Sequence, residues 1–271
     1  TLYMDVYQNG VLLVPATDYA ASTGTSVVLV QGASVDDTLE LLVHDIFSVA
    51  DSVSAKDGGT FSGTIAAAGL STSSLGTSNF RAGVNAGDSI EAGGNYNVAV
   101  GDEAGTAITT GVENTIIGSL AGDALTDADF NVAVGSGALS TDTQGSRSVA
   151  IGRNVLGSQN FTSATSVNNT AVGYEAGRNT TTGIDNCLFG SNAGYALTDA
   201  DDNVALGRSA LATDTQGSKS TAVGNGALNA QNFTSATDSN NVAVGYNAGN
   251  DITTGVQNTI VGSVAGDALT D

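Results

Sequence analysis

Tryptophan is absent from this chain of 271 residues, histidine, cysteine, methionine and proline each occur once, and aromatic residues make up only 5%. Each shortage closes off a class of protein. The single cysteine, Cys187, can form no internal disulfide and completes no paired-cysteine metal site. Its place in the repeat described below is taken elsewhere by Thr115 and Thr259, so it reads as a small buried filler. The one histidine, His44, lies in a predicted strand with no serine or cysteine motif beside it and reads as structural. With so few bulky side chains, a core must rest on Ala, Val, Leu and Ile and must be thin. A thin core in one chain does not offset the entropy of ordering the backbone unless repeats stack or neighbouring chains add surface, so oligomerisation is expected.

Positive charge is also scarce. Seven Lys and Arg against 27 Asp and Glu give a formal charge of -20, which excludes a nucleic-acid backbone as partner and disfavours an anionic membrane surface. Nothing reads as a membrane span or a signal peptide, so no membrane insertion is expected. Walker and dinucleotide fingerprints are missing too. Residues 258–271 restate residues 114–127, and position 1 is Thr, so both ends are expected to be cut.

What the chain has in plenty is glycine, 36 of them, and they fall in phase. A nine-residue pattern, Asn/Ser-x-Ala/Ile-x-Gly-x-x-Ala-Gly/Leu, starts at Asn97, Asn114, Asn131, Ser148, Asn169, Asn186, Asn203, Ser220, Asn241 and Asn258. The starts step by 17, 17, 17 and 21 along the chain, twice over, so four coils make a super-repeat, first at 97–168 and again at 169–240. Those two stretches agree at 45 of 72 positions, which is duplication. A degenerate copy at Asn79 marks the first coil.

In a copy such as Asn97-Val98-Ala99-Val100-Gly101, Val98 and Val100 point to one face of an extended segment and Ala99 to the other. Both faces are apolar, as in a strand covered on each side by parallel stacking. The spacing predicts short coils of parallel β-structure with Gly at the corners. Stacked in register, ten coils extend about 45 to 50 Å. Which face is interior is not decided by the pattern. The opening Asn either forms a side-chain ladder from coil to coil or simply tolerates a corner.

These residues, in particular Ser148-Val149-Ala150-Ile151-Gly152 and the nine starting at Asn169, resemble the coil motif of trimeric β-roll adhesin heads and of bacteriophage tail fibres. The N-terminal region separates the two families. Residues 1–55 lack the repeat and show strand-like runs at 2–8, 11–14, 27–30 and 39–47, with Asn9-Gly10 as a hairpin signal and further turns at 23–25 and 32–34. This is an all-β module of sandwich type. Its stretches Asn9-Gly10-Val11-Leu12-Leu13 and Val27-Val28-Leu29 resemble modules ahead of phage fibre shafts, and residues 57–63 resemble segments that open such shafts. The expected organisation is thus an N-terminal all-β module at 1–55, a Gly/Ser/Thr-rich connector or shaft start at 56–78, and a β-roll or β-helix at 79–271.

The resemblance implies a homotrimeric, extracellular shaft of a virion tail fibre, joined to other tail proteins and reaching a host receptor through a distal tip. The alternatives are the head of a bacterial trimeric autotransporter adhesin and, behind it, a fibre-borne polysaccharide depolymerase. For the last, Asp127/Asp129 and Asp199/Asp201/Asp202 are the carboxylates to test. They recur in both super-repeats, in the turn before a coil, and lack aromatic sugar platforms, so they read as solvated turns and no enzyme is expected. Calcium is the one cofactor these turns leave open, although the calcium-binding nonapeptide is absent. The long coils carry an identical segment, residues 159–165 and 231–237, whose Phe161 and Phe233 serve either receptor contact or packing, the latter on an adjacent chain.

Overall fold

A computed structural model of the chain describes residues 3–14, 17–20, 28–31, 34, 36–44 and 75–271. Most of the expected connector, the segment 57–63, and the turns at 23–25 and 32–33 lie outside these residues. The chain divides into two compact units, Thr1–Ala67 and Ala68–Asp271. Among the described residues there is no helix, and every regular element is a strand.

The first unit holds β1 (Tyr3–Gln8), β2 (Val11–Leu12), β3 (Tyr19–Ala20), β4 (Val28–Leu29) and β5 (Leu39–His44). Strands β2, β1 and β5 form an antiparallel sheet in that order, and β3 pairs with β4 in a second antiparallel sheet. The expected hairpin forms at Asn9-Gly10, whose φ values of 52 and 78 supply the two left-handed residues of a type I′ turn. Asn9 adds side-chain bonds, donating from Nδ2 to Asp37 at 2.8 Å and accepting from Thr38 N at 2.9 Å. The two-residue β3 is too short to leave a periodic trace.

The second unit is a solenoid. Its strands are β6 (Phe80–Ala82), β7 (Val98–Val100), β8 (Thr115–Ile117), β9 (Val132–Val134), β10 (Gly145–Ser146), β11 (Val149–Ile151), β12 (Thr165–Ser166), β13 (Thr170–Val172), β14 (Cys187–Phe189), β15 (Val204–Leu206), β16 (Gly217–Ser218), β17 (Thr221–Val223), β18 (Thr237–Asp238), β19 (Val242–Val244) and β20 (Thr259–Val261). One strand from each coil enters an 11-stranded parallel sheet, from β6 through β20, while β10 with β12 and β16 with β18 make two small parallel sheets at the long coils. Register is kept throughout: Ala99 faces Ile116, Ala133 faces Ala150, and Ala150 faces Ala171 across the longer step. Ten spacings of about 4.8 Å give the sheet a length of roughly 48 Å.

The central residue of each strand points inward. Ala99, Ile116, Ala133, Ala150, Ala171, Leu188, Ala205, Ala222 and Ala243 are fully buried and, with Ile108, Leu125 and Leu197, make up the interior of the coils. The two flanking residues face out. Small central residues suit an interior that must also accept side chains from the rest of each coil.

Corners follow from the same repeat. Each coil carries left-handed residues at fixed places, such as Tyr96 (φ 59), Glu103 (φ 55) and Gly105 (φ 56). Side chains in that conformation cost on the order of 1 kcal/mol each, so the stacking must over-determine them. The fifth-position Gly that ends each strand stacks on itself: a Cβ at Gly118 would lie 2.7 Å from the Gly135 carbonyl oxygen, a backbone atom that cannot yield. Only glycine fits this column.

The opening Asn forms the ladder. Asn97 Oδ1 accepts from Asn114 N, and Asn114 Oδ1 from Asn131 N, each at 2.9 Å. Asn97 Nδ2 donates to the Gly111 carbonyl and Asn114 Nδ2 to that of Ala128, at 2.8 and 2.7 Å. Each buried amide therefore satisfies backbone groups at the corners of neighbouring coils, where no strand pairing reaches them.

Candidate functional site

The outward face of the large sheet is the most unusual surface of the solenoid. Its first column runs through Val98, Thr115, Val132, Val149, Thr170, Cys187, Val204, Thr221, Val242 and Thr259. Its second runs through Val100, Ile117, Val134, Ile151, Val172, Phe189, Leu206, Val223, Val244 and Val261. Not one of these residues carries a charge, in a chain whose formal charge is -20. Leu206 is 47% exposed and Ile117 38%, so the ribbon is apolar and open in the single chain. Periodicity in the sequence shows two apolar faces, and only the coil geometry assigns Ala99 to the inside and Val98 and Val100 to the outside. Cys187 corrects the expectation of a buried filler: it is partly exposed in the first column, because the second residue of the motif points away from the core.

The long coils absorb most of their excess in one place. Gln144 N donates to the carbonyl of Phe161 at 2.8 Å, which is still the step of a short coil, whereas the next residue, Gly145, pairs with Thr165. Three of the four surplus residues therefore fall between Phe161 and Thr165, where Thr162, Ser163 and Ala164 are exposed, and the fourth falls between Ser166 and Thr170. Phe161 and Phe233 turn inward and are 9% and 6% exposed within their own chain. The buried carboxylates of Asp142 and Asp214 hold them there. Asp142 accepts from Gly145 N at 3.0 Å, Phe161 N at 2.9 Å and Gln159 Nε2 at 2.6 Å. Asp214 repeats this with Gly217, Phe233 and Gln231. Gln159 also bridges Ser148 and Asn169, repairing the ladder where Ser replaces Asn. Phe161 is the conspicuous residue in the sequence, while Asp142, which there resembles any turn residue, makes the bonds that hold the long coil.

The acids of the turns brace the corners. Asp127 accepts from the hydroxyls of Thr109 and Thr110 at 2.9 and 2.8 Å, and Asp129 accepts from Val112 N at 2.9 Å. Asp201 accepts from Ile184 N at 2.8 Å, and Asp199 from Thr198 Oγ1 at 2.5 Å. Burial, together with Asp202, Asp185 and Asp199 nearby, raises the Asp201 carboxyl above its ordinary value. Among the described residues no group of three His, Cys, Asp or Glu side chains is placed to hold a metal ion. His44 ends β5 opposite Tyr3 in the N-terminal sheet. No described helix is long and apolar enough to cross a membrane. Compared with known proteins, the chain matches no family model, no curated protein and no solved structure.

Proposed function

We propose that this chain is a shaft segment of a bacteriophage tail fibre, in which three copies bury their outward sheet faces against one another and transmit attachment between the virion and a distal receptor-binding tip. The uncharged apolar ribbon carries this reading. A monomer rarely leaves a contiguous apolar patch of more than a few hundred Å² in water, and a column of Val, Ile, Leu and Phe beside one of Val, Thr and Cys, along about 43 Å, exceeds that. Copies of a chain charged at -20 repel one another everywhere except along such a ribbon, so the second copy is the occupant that fits it. In-register columns on each copy mesh as in sheet packing, and the shaft draws stiffness from that contact rather than from any catalytic group.

The test is the mass and shape of the particle in solution by light scattering with small-angle X-ray scattering. Three chains in an elongated particle are expected for the native sequence, and Val100→Asp or Val172→Asp should yield single chains, because each places a charge on the ribbon. Mild oxidation should link Cys187 to its equivalent in a neighbouring copy, since symmetric copies bring that column to one level. A native monomer sinks the proposal. Immunogold labelling then separates the fibre from the adhesin reading: label on virion tails supports the former, label on bacterial surfaces the latter.

A further inference from the structure

The turn thrown out by the first long coil forms one wall of a groove of about 200 Å³, whose other walls come from the two preceding corners. Phe130 and Arg147 line it, with Asp129, Ser146, Thr165 and Ser166 around them. Phe130 is 45% exposed and lines the groove. The guanidinium of Arg147 makes no ion pair or hydrogen bond with any described residue; only its main-chain N is bonded, to Asp129 O at 3.0 Å.

The second super-repeat has the same backbone and a different groove. There Asp202 stands for Phe130, Lys219 for Arg147 and Asp238 for Ser166. Lys219 Nζ pairs with Asp238 at 2.6 Å, so the cation is neutralised from within. In the first super-repeat the carboxylate is missing, the cation remains, and an aromatic ring has appeared beside it. We propose that this first groove binds a carboxylated sugar ring. The ligand carboxylate takes the place that Asp238 fills in the other copy and meets the Arg147 fork in a bidentate pair. The apolar face of the ring lies on Phe130, and its hydroxyls reach Ser146, Thr165 and Ser166. One ring on an open groove implies a dissociation constant roughly in the millimolar range. The site does not depend on how many copies assemble.

The experiment titrates the full chain with an oligogalacturonate and with the uncharged oligogalactoside of equal length, followed by ligand-observed NMR. The variants Ser166→Asp and Phe130→Asp are folded by precedent, because the second super-repeat carries both residues at the equivalent places. Binding of the acidic sugar, about tenfold weaker for the neutral one and at least about tenfold weaker in either variant, is the expected result. Equal binding of both sugars, no binding by the native chain at several millimolar, or undiminished binding by Ser166→Asp overturns the proposal. Light scattering on the same samples must show unchanged particle mass; a variant that alters the mass identifies the occupant as a neighbouring copy and overturns it as well.

Discussion

Two kinds of coil build the solenoid, and they fill the same interior by opposite means. In the coils opening at Asn79, Asn97, Asn114, Asn169, Asn186, Asn241 and Asn258 the ninth residue is Gly and the twelfth is Ile, Leu or Thr. In those opening at Asn131, Ser148, Asn203 and Ser220 the ninth is Leu and the twelfth is Asp or Gln. Space explains the exclusion. A Cβ at Gly105 would lie 2.7 Å from Ile108 Cδ1, and one at Gly122 2.8 Å from Leu125 Cδ1. Where Leu139, Leu156, Leu211 and Leu228 occupy the core instead, they do so in left-handed conformations, with φ between 48 and 54. The strain frees the twelfth position for a long polar side chain. Asp and Gln appear there only in each long coil and the coil before it, where Asp142 with Gln159, and Asp214 with Gln231, must tie down the additional residues.

The most direct way to break this comparison is to convert one kind of coil into the other. Asp142→Leu leaves Gly145 N and Phe161 N without an acceptor, takes from Gln159 Nε2 one of its two, and crowds an interior that Leu139 already fills. A loss of about 4 to 6 kcal/mol is expected in urea unfolding, from the orphaned donors and the overpacking together. Adding Leu139→Gly should restore only the packing part, about 1 to 3 kcal/mol. Full restoration by the pair would mean that volume alone distinguishes the two coils and that the carboxylate is dispensable. Asn186→Ala ranks next: it strands Ala200 O and Asn203 N, and should cost about 2 to 4 kcal/mol in the same assay.

Much of this fold was legible because a parallel solenoid writes itself into period. Asn97, Ala99 and Gly101 recur at a spacing that admits few other structures, and Asn9-Gly10 announces its turn through backbone chemistry local to two residues. The rest depends on closure of the coil. The alternation of Val98, Ala99 and Val100 contains no information on which side becomes the inside. That is decided by whether the remaining residues of the coil return on the Ala side, and small Ala leaves them room. Nor could Phe161 be placed, since its burial rests on Asp142, which belongs to another coil. The groove at Phe130 had a signal that went unread: the two super-repeats differ at positions 130, 147 and 166 while sharing the turn at 159–165.

Thr180 offers a gentler way to sharpen the comparison, as it is the twelfth residue of a Gly-type coil yet carries a hydroxyl. Its Oγ1 is buried and has no hydrogen-bond partner among the described residues, whereas Ile108, Leu125, Leu197 and Ile252 fill the equivalent place with carbon alone. Thr180→Val keeps the shape and removes the unsatisfied group, so a gain of about 1 kcal/mol is expected in urea unfolding. A loss would show that the hydroxyl is satisfied and that this coil belongs to neither kind.

The smallest effect lies outside the core, on the rim just before the coil that opens at Asn203. Burial and the neighbouring Asp202, Asp185 and Asp199 raise the Asp201 carboxyl, so the folded chain holds that proton more tightly than the unfolded one. The ionised group therefore opposes folding above its raised value, and the penalty fades as pH falls toward the ordinary 3.8. Asp201→Asn keeps an oxygen for Ile184 N and removes the charge. It should stabilise the chain at neutral pH by less than about 0.5 kcal/mol, solvent screening having reduced the effect, and the gain should shrink on acidification. A gain that persists unchanged at low pH would assign it to packing of the amide, and the crowding of carboxylates on this rim would then carry no energetic weight.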